Sequence, residues 1–110
     1  MSDNSRQLLT IITEARLESL LLKDIDRLGA KGYTVTDARG KGSRGVRGGD
    51  WQPSQNIRLE IICTEPVAAV ISGHMQERYY DNYAMVLFQS EVFVLRPEKF
   101  GKEGTENHGR

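Results

Sequence analysis

The spacing of apolar positions changes several times along the chain, and each change marks an element. Leu8, Leu9, Ile11 and Ile12 crowd a short run that is β-branched at its end, which predicts a strand apolar on both faces. Leu17, Leu20, Leu21, Ile25 and Leu28 then recur at helical spacing. Glu14 and Glu18 near the start suit the helix dipole, and Gly29 or Gly32 can end the helix. Tyr33-Thr34-Val35-Thr36 alternates and predicts a second strand. Ile57, Leu59, Ile61 and Cys63 alternate with Arg58, Glu60 and Ile62, predicting a third strand that is polar on part of one face. Thr64 and Pro66 read as a cap and a first-turn proline. Val67, Val70, Ile71, His74, Met75 and Tyr79 supply the second helical face. Asp81-Asn82 predicts a turn and Ala84 to Phe88 a fourth strand, with a bulge or break expected at Gln89-Ser90-Glu91 before Val92 to Leu95. Pro97 stops it, and the polar residues 101–110 read as a poorly ordered tail.

This order, strand-helix-strand twice over, predicts an α+β fold of the ferredoxin-like βαββαβ type with an antiparallel sheet. Two crossover helices cover one face of such a sheet. Leu8/Leu9 with Ile11/Ile12, and Met85/Val86 with Leu87/Phe88, are apolar towards both faces. The uncovered face therefore predicts a homo-oligomer that buries it.

Between the second and third strands lies an unusual segment. Arg39 to Asp50 holds five glycines and four basic residues, and the connection from Ala38 to Gln55 exceeds ordinary loop lengths. Gly40 and Gly42 permit backbone conformations that turn successive N–H groups inward around an anion. Lys41, Arg44 and Arg47 follow at three-residue intervals, and an arginine can grip phosphate or carboxylate oxygens with two parallel hydrogen bonds. Ser43 adds a hydroxyl donor. On composition alone two readings stand side by side, a solvated basic loop and an anion nest that a ligand would order. The Walker spacing is absent. Trp51 reads equally as a partner-binding knob or as a cover over the loop base.

Composition narrows the classes. The 110 residues predict one domain, and fifteen basic against fifteen acidic residues leave no net charge, which argues against a non-specific nucleic-acid binder. A single cysteine excludes a disulfide within the chain and fits a reducing cytoplasm. The N-terminus lacks a secretory pattern, and no apolar run is long enough for a membrane helix. Cys63 alternates inward as a small core residue, and His74 reads as a packed or interface side chain, with His108 in the tail. Asp37, Asp50, Glu60 and Asp81 are scattered, and no His/Cys cluster suggests a metal.

The stretch Gly32-Tyr33-Thr34-Val35-Thr36-Asp37-Ala38-Arg39-Gly40-Lys41-Gly42-Ser43-Arg44-Gly45-Val46-Arg47 resembles the second strand and T-loop base of the PII-like signalling proteins. Ile11 to Glu14 and Asn56 to Glu60 support the likeness. Within that family the stretch resembles the cyanobacterial partner of the sodium–bicarbonate transporter and the carboxysome-associated proteins of chemoautotrophic bacteria. It implies residues 1–100 as a PII-like domain with a T-loop at about 38–56, a flexible tail at 101–110, and a homotrimer with nucleotide sites in the clefts between subunits. It implies that Thr34, Gly40, Lys41, Gly42 and Ser43 line the adenine nucleotide site, that Arg44 and Arg47 hold its phosphates, and that Glu60 lines the cleft from the third strand. Bicarbonate would share the nest of Gly40, Lys41, Gly42, Ser43 and Arg44.

Departures from the classical pattern refine these expectations. Asp81 to Met85 replaces a glycine-rich B-loop, which favours ADP or AMP over the usual ATP and 2-oxoglutarate mode, with ATP and cyclic AMP as further candidates. No tyrosine lies between Arg39 and Gln55 for uridylylation. Only Arg96 matches the basic residues of the last strand, and the tail lacks the cysteines of a redox loop. The expected function is a cytoplasmic, non-enzymatic sensor that needs no cofactor or metal. Its T-loop would act on a carbon-uptake partner such as a membrane bicarbonate transporter, which could recruit it to the inner face of the membrane. The alternatives are an RNA- or anion-binding ferredoxin-like module and a weak nucleotide phosphohydrolase. An RNA reader would display aromatics on its first and third strands, and these have none.

Overall fold

The computed structural model describes residues 4–40 and 55–101. Strand β1 (Ser5–Glu14) passes through a 3-10 turn, Ala15–Leu17, into helix α1 (Glu18–Arg27). Strands β2 (Thr34–Ala38) and β3 (Asn56–Cys63) follow, then helix α2 (Glu65–Arg78), strand β4 (Met85–Phe93) and a closing 3-10 turn, Pro97–Phe100. The sheet order is β2-β3-β1-β4, with every neighbouring pair antiparallel. This is the expected ferredoxin-like arrangement.

Cross-strand register sorts the side chains into two faces, because partners at one level of the ladder point the same way. One face carries Val35, Leu59, Ile11 and Leu87 in a single row, with Ile61 and Leu9 in the next. These residues pack under Leu17, Leu21 and Ile25 from the first crossover and Ala68, Ile71 and Met75 from the second. Leu9, Ile11, Leu59 and Ile61 are fully buried, and Cys63 joins them as the small core residue expected. Among the described residues, no helix lies over the other face.

Helix α1 ends at Gly29, whose φ of 114° lies in a region that side chains with a Cβ avoid. The wrapped end is closed by the Ala30 N–H donating to the Ile25 carbonyl at 2.9 Å. Pro66 sits in the first turn of α2, as its missing N–H allows. Thr64 occupies the N-cap position of α2, but its hydroxyl makes no capping bond; it is buried beneath Gly101, whose added Cβ would come within 3.0 Å of the Thr64 methyl.

Other expectations change too. Strand β4 runs unbroken through Gln89, Ser90 and Glu91, paired with Leu9, Leu8 and Gln7. Its polar side chains meet polar groups of β1, Gln89 bonding Gln7 at 2.9 Å and Glu91 accepting from Ser5, so polarity there needs no bulge. Leu20 and Val70, counted on the helical faces, are 46% and 52% exposed.

Candidate functional site

The open face of the sheet divides into a polar corner and an apolar floor. One row across it reads Thr34, Glu60, Thr10 and Phe88; the next reads Thr36, Arg58, Ile12 and Val86. The polar ends of both rows lie on β2 and β3, the two strands that the glycine-rich connection joins, with Thr36–Arg58 nearer its exit and Thr34–Glu60 at the far end of β2. The floor on β1 and β4 includes Phe88 and Val86, 45% and 56% exposed. Thr10 is fully buried between Glu60 and Phe88, and its hydroxyl has no hydrogen-bond partner among the described residues.

Of the site residues expected from sequence, the fold brings Thr34 and Glu60 directly opposite each other. Gly40 lies two residues beyond the end of β2, exposed, with open space where a side chain would be. Lys41, Gly42, Ser43, Arg44 and Arg47 lie outside the described residues, as do Trp51 and His108. Arg58 joins this polar corner, and the sequence reading does not count it among the site residues. Its Nε lies 3.1 Å from Glu60 Oε2, so the polar corner carries an ion pair on β3 across from Thr34 and Thr36 of β2. Strand alternation could have found it, since residues two apart share a face. The arrangement offers a carboxylate, a guanidinium and hydroxyl groups beside an apolar floor, which suits a ligand with a flat apolar part and polar edges.

A second polar cluster sits on the helix side. Asp24 Oδ2 accepts the Tyr79 hydroxyl at 2.6 Å and lies 3.0 Å from His74 Nε2, while Arg27 approaches Oδ1 at 3.5 Å. Burial works against the charge on Asp24, but the Tyr79 and His74 hydrogen bonds and the charges of His74 and Arg27 hold its carboxyl below the ordinary value. Burial and the bond to Asp24 push the Tyr79 phenol up. His74 is thus a packed side chain that ties α2 to α1. Among the described residues no group of three or more His, Cys, Asp or Glu could hold a metal ion, and no helix is long and apolar enough to cross a membrane.

Comparison with known proteins agrees with this architecture. A PII-like signalling protein, by its assignment, from Thermus thermophilus is 49% identical over 87% of this chain and 95% of its own, with a TM-score of 0.74. The PII-like protein CPII from Thiomonas intermedia, solved bound to ADP and bicarbonate, is 28% identical over 87% of this chain and 94% of its own, with a TM-score of 0.75. The same protein bound to ADP, AMP and bicarbonate matches at 26% identity over 87% and 93%, with a TM-score of 0.74. The family model described as nitrogen regulatory protein P-II matches residues 6–99. The chain therefore belongs to the nitrogen regulatory protein P-II family.

Proposed function

We propose that this protein is a regulatory sensor of adenine nucleotide, with ADP or AMP as the favoured ligands and bicarbonate as a co-ligand. The observation that carries the reading is the Thr34–Glu60 pair, on the two strands that the basic, glycine-rich connection joins, in a chain of the P-II family. Thr34, Gly40, Lys41, Gly42, Ser43 and Glu60 line the nucleotide site, and Arg44 and Arg47 hold the phosphates. Bicarbonate, a small planar anion, is taken by the backbone and side-chain donors of Gly40, Lys41, Gly42, Ser43 and Arg44. The Thiomonas protein bound to ADP and bicarbonate supports this pairing of ligands.

The functional unit is a homotrimer whose subunits cover one another's open sheet faces and form the sites in the clefts between them. The exposed floor of Val86 and Phe88 supports that assembly, since an apolar sheet face left in water invites association. Residues 1–100 form the domain, the T-loop spans about 38–56, and residues 101–110 are the C-terminal tail, whose first residue, Gly101, packs against the domain. Ligand-dependent ordering of the T-loop alters docking to a protein of inorganic-carbon uptake, a membrane bicarbonate transporter being the leading candidate, from a cytoplasmic pool.

Calorimetry with AMP, ADP, ATP and cyclic AMP, each with and without bicarbonate, tests the reading. The expected result is tightest binding of ADP or AMP, strengthened by bicarbonate, because two ligands that favour one loop state raise each other's affinity equally. Absence of binding by all four nucleotides overturns it. Arg44→Ala/Arg47→Ala weakens nucleotide binding at least about tenfold, from the loss of charge-assisted hydrogen bonds.

A further inference from the structure

Ala84, the residue ahead of β4, is held by side chains and not by the sheet ladder. Its N–H donates to Glu14 Oε2 at 2.8 Å, and its carbonyl accepts the Thr13 hydroxyl at 2.6 Å. The other Glu14 oxygen, Oε1, is 2.8 Å from Arg16 Nε, and the Arg16 guanidinium lies 5.1 Å from the Tyr83 ring centroid. Tyr83 in turn rests against Tyr79, which is anchored on Asp24. Both carboxylate oxygens of Glu14 therefore act on one turn, directly at Ala84 and through Arg16 at Tyr83.

Glu14 also faces the other way across the sheet. It is the last residue of β1 and the register partner of Asn56, which begins β3. Asn56 pairs in turn with Ala38, which ends β2, and is itself 5% exposed. One residue thus joins the turn before β4 to the two strand ends from which the glycine-rich connection leaves. The Glu14 side chain keeps 25% of its surface in solvent, so its grip on Ala84 can break without opening the core.

We propose that Glu14 is a positioning residue that couples the seating of the turn before β4 to the strand ends at Ala38 and Asn56. The two states of the coupled element are the turn seated on Glu14 and the turn released. Ordering at Ala38 and Asn56 steadies the end of β1, keeps the turn seated, and so fixes Val86 and Phe88 at the start of β4 on the open face. The link runs equally in reverse. Its regulatory use rests on the nucleotide-sensing reading given above; the coupling itself does not.

Hydrogen exchange on the full chain separates the two. Glu14→Ala is expected to accelerate exchange at Ala84 about tenfold, the effect of losing a charged hydrogen bond, and to accelerate Asn56, Ile57 and Ala38 as well. Amides of Leu9, Ile11, Leu59 and Ile61 stay unchanged, which excludes general loosening. Glu14→Gln, which keeps an acceptor but loses the charge on Arg16, falls between wild type and Glu14→Ala. Acceleration confined to Ala84, or none anywhere, overturns the coupling. With ADP and bicarbonate added, slowing of Ala84 in wild type but not in Glu14→Ala supports the regulatory link. Equal slowing in both contradicts that link while leaving ligand binding intact. Failure of wild type to bind ADP defeats the sensor reading, and the ligand-free comparison still decides the coupling.

Discussion

The two faces of one sheet differ in how their residues are satisfied. On the helix side, Leu9, Ile11, Leu59 and Ile61 are buried within the single chain, in one core with residues of α1 and α2. On the open side, Thr10 is buried with a hydroxyl that has no partner among the described residues, the Arg58–Glu60 pair is partly solvated, and Val86 and Phe88 keep about half their surface exposed. The strands alternate between these faces, so the same ten residues of β1 serve a finished core and an unfinished surface. The lesson is that folding and function load different halves of the same pattern. One half stabilises the chain alone; the other is left open for the ligand and further copies proposed above.

Substitutions can break this comparison. The largest effect is expected from Leu59→Ala on the closed face, about 2–5 kcal/mol in denaturant unfolding, from lost transfer energy and an unfilled cavity. Asp24→Ala, which leaves His74 and Tyr79 without their shared acceptor, is expected to cost about 1–3 kcal/mol. Its pH dependence has a definite sign. Asp24 titrates below its unfolded value of about 3.9, so its contribution is complete above that value and disappears as pH falls through the depressed folded pKa. The gap in unfolding free energy between wild type and Asp24→Asn should therefore shrink on acidification in that window; a constant gap would contradict the assignment. Tyr79→Phe should cost about 1 kcal/mol.

Smaller still is the expected effect of Phe88→Ser on the folding of the single chain, below about 1 kcal/mol because the ring is already half in water. Its consequence should appear in sedimentation velocity, as a shift towards smaller species. If Phe88→Ser destabilised the chain as much as Leu59→Ala and left association untouched, the two faces would not be different in kind. Gly73→Ala sharpens the contrast from the opposite direction. This glycine lies inside α2 with open space at its Cβ position and no positive φ, so alanine should raise stability by about 0.5–1 kcal/mol in thermal melts.

Much of the fold was legible because both periods were clean. The alternation of Ile57, Leu59, Ile61 and Cys63 fixed the inward face of β3, and the spacing of Leu17, Leu21 and Ile25 marked the buried stripe that leads into α1. Leu20 and Val70 misled because the period locates a stripe but not its width, and the width depends on how each helix meets the sheet. The apparent break at Gln89 to Glu91 misled because polar residues signal a strand end only where no polar partner waits, and Gln7 and Ser5 supply partners. At the candidate site, Thr34 and Glu60 were named through family resemblance; their apposition, and the Arg58 beside them, depends on a register between distant segments that local sequence does not carry. The Glu14 contacts with Ala84 and Arg16 were hidden for the same reason, since Glu14 read as a residue suited to a helix start and as part of the family likeness, with no partner indicated.

The most direct test is native mass spectrometry of the full chain with ADP and bicarbonate. A complex of three 12.4 kDa chains retaining one nucleotide per intersubunit cleft is expected, with the nucleotide lost in Arg44→Ala/Arg47→Ala. A single 12.4 kDa chain without bound nucleotide would contradict it.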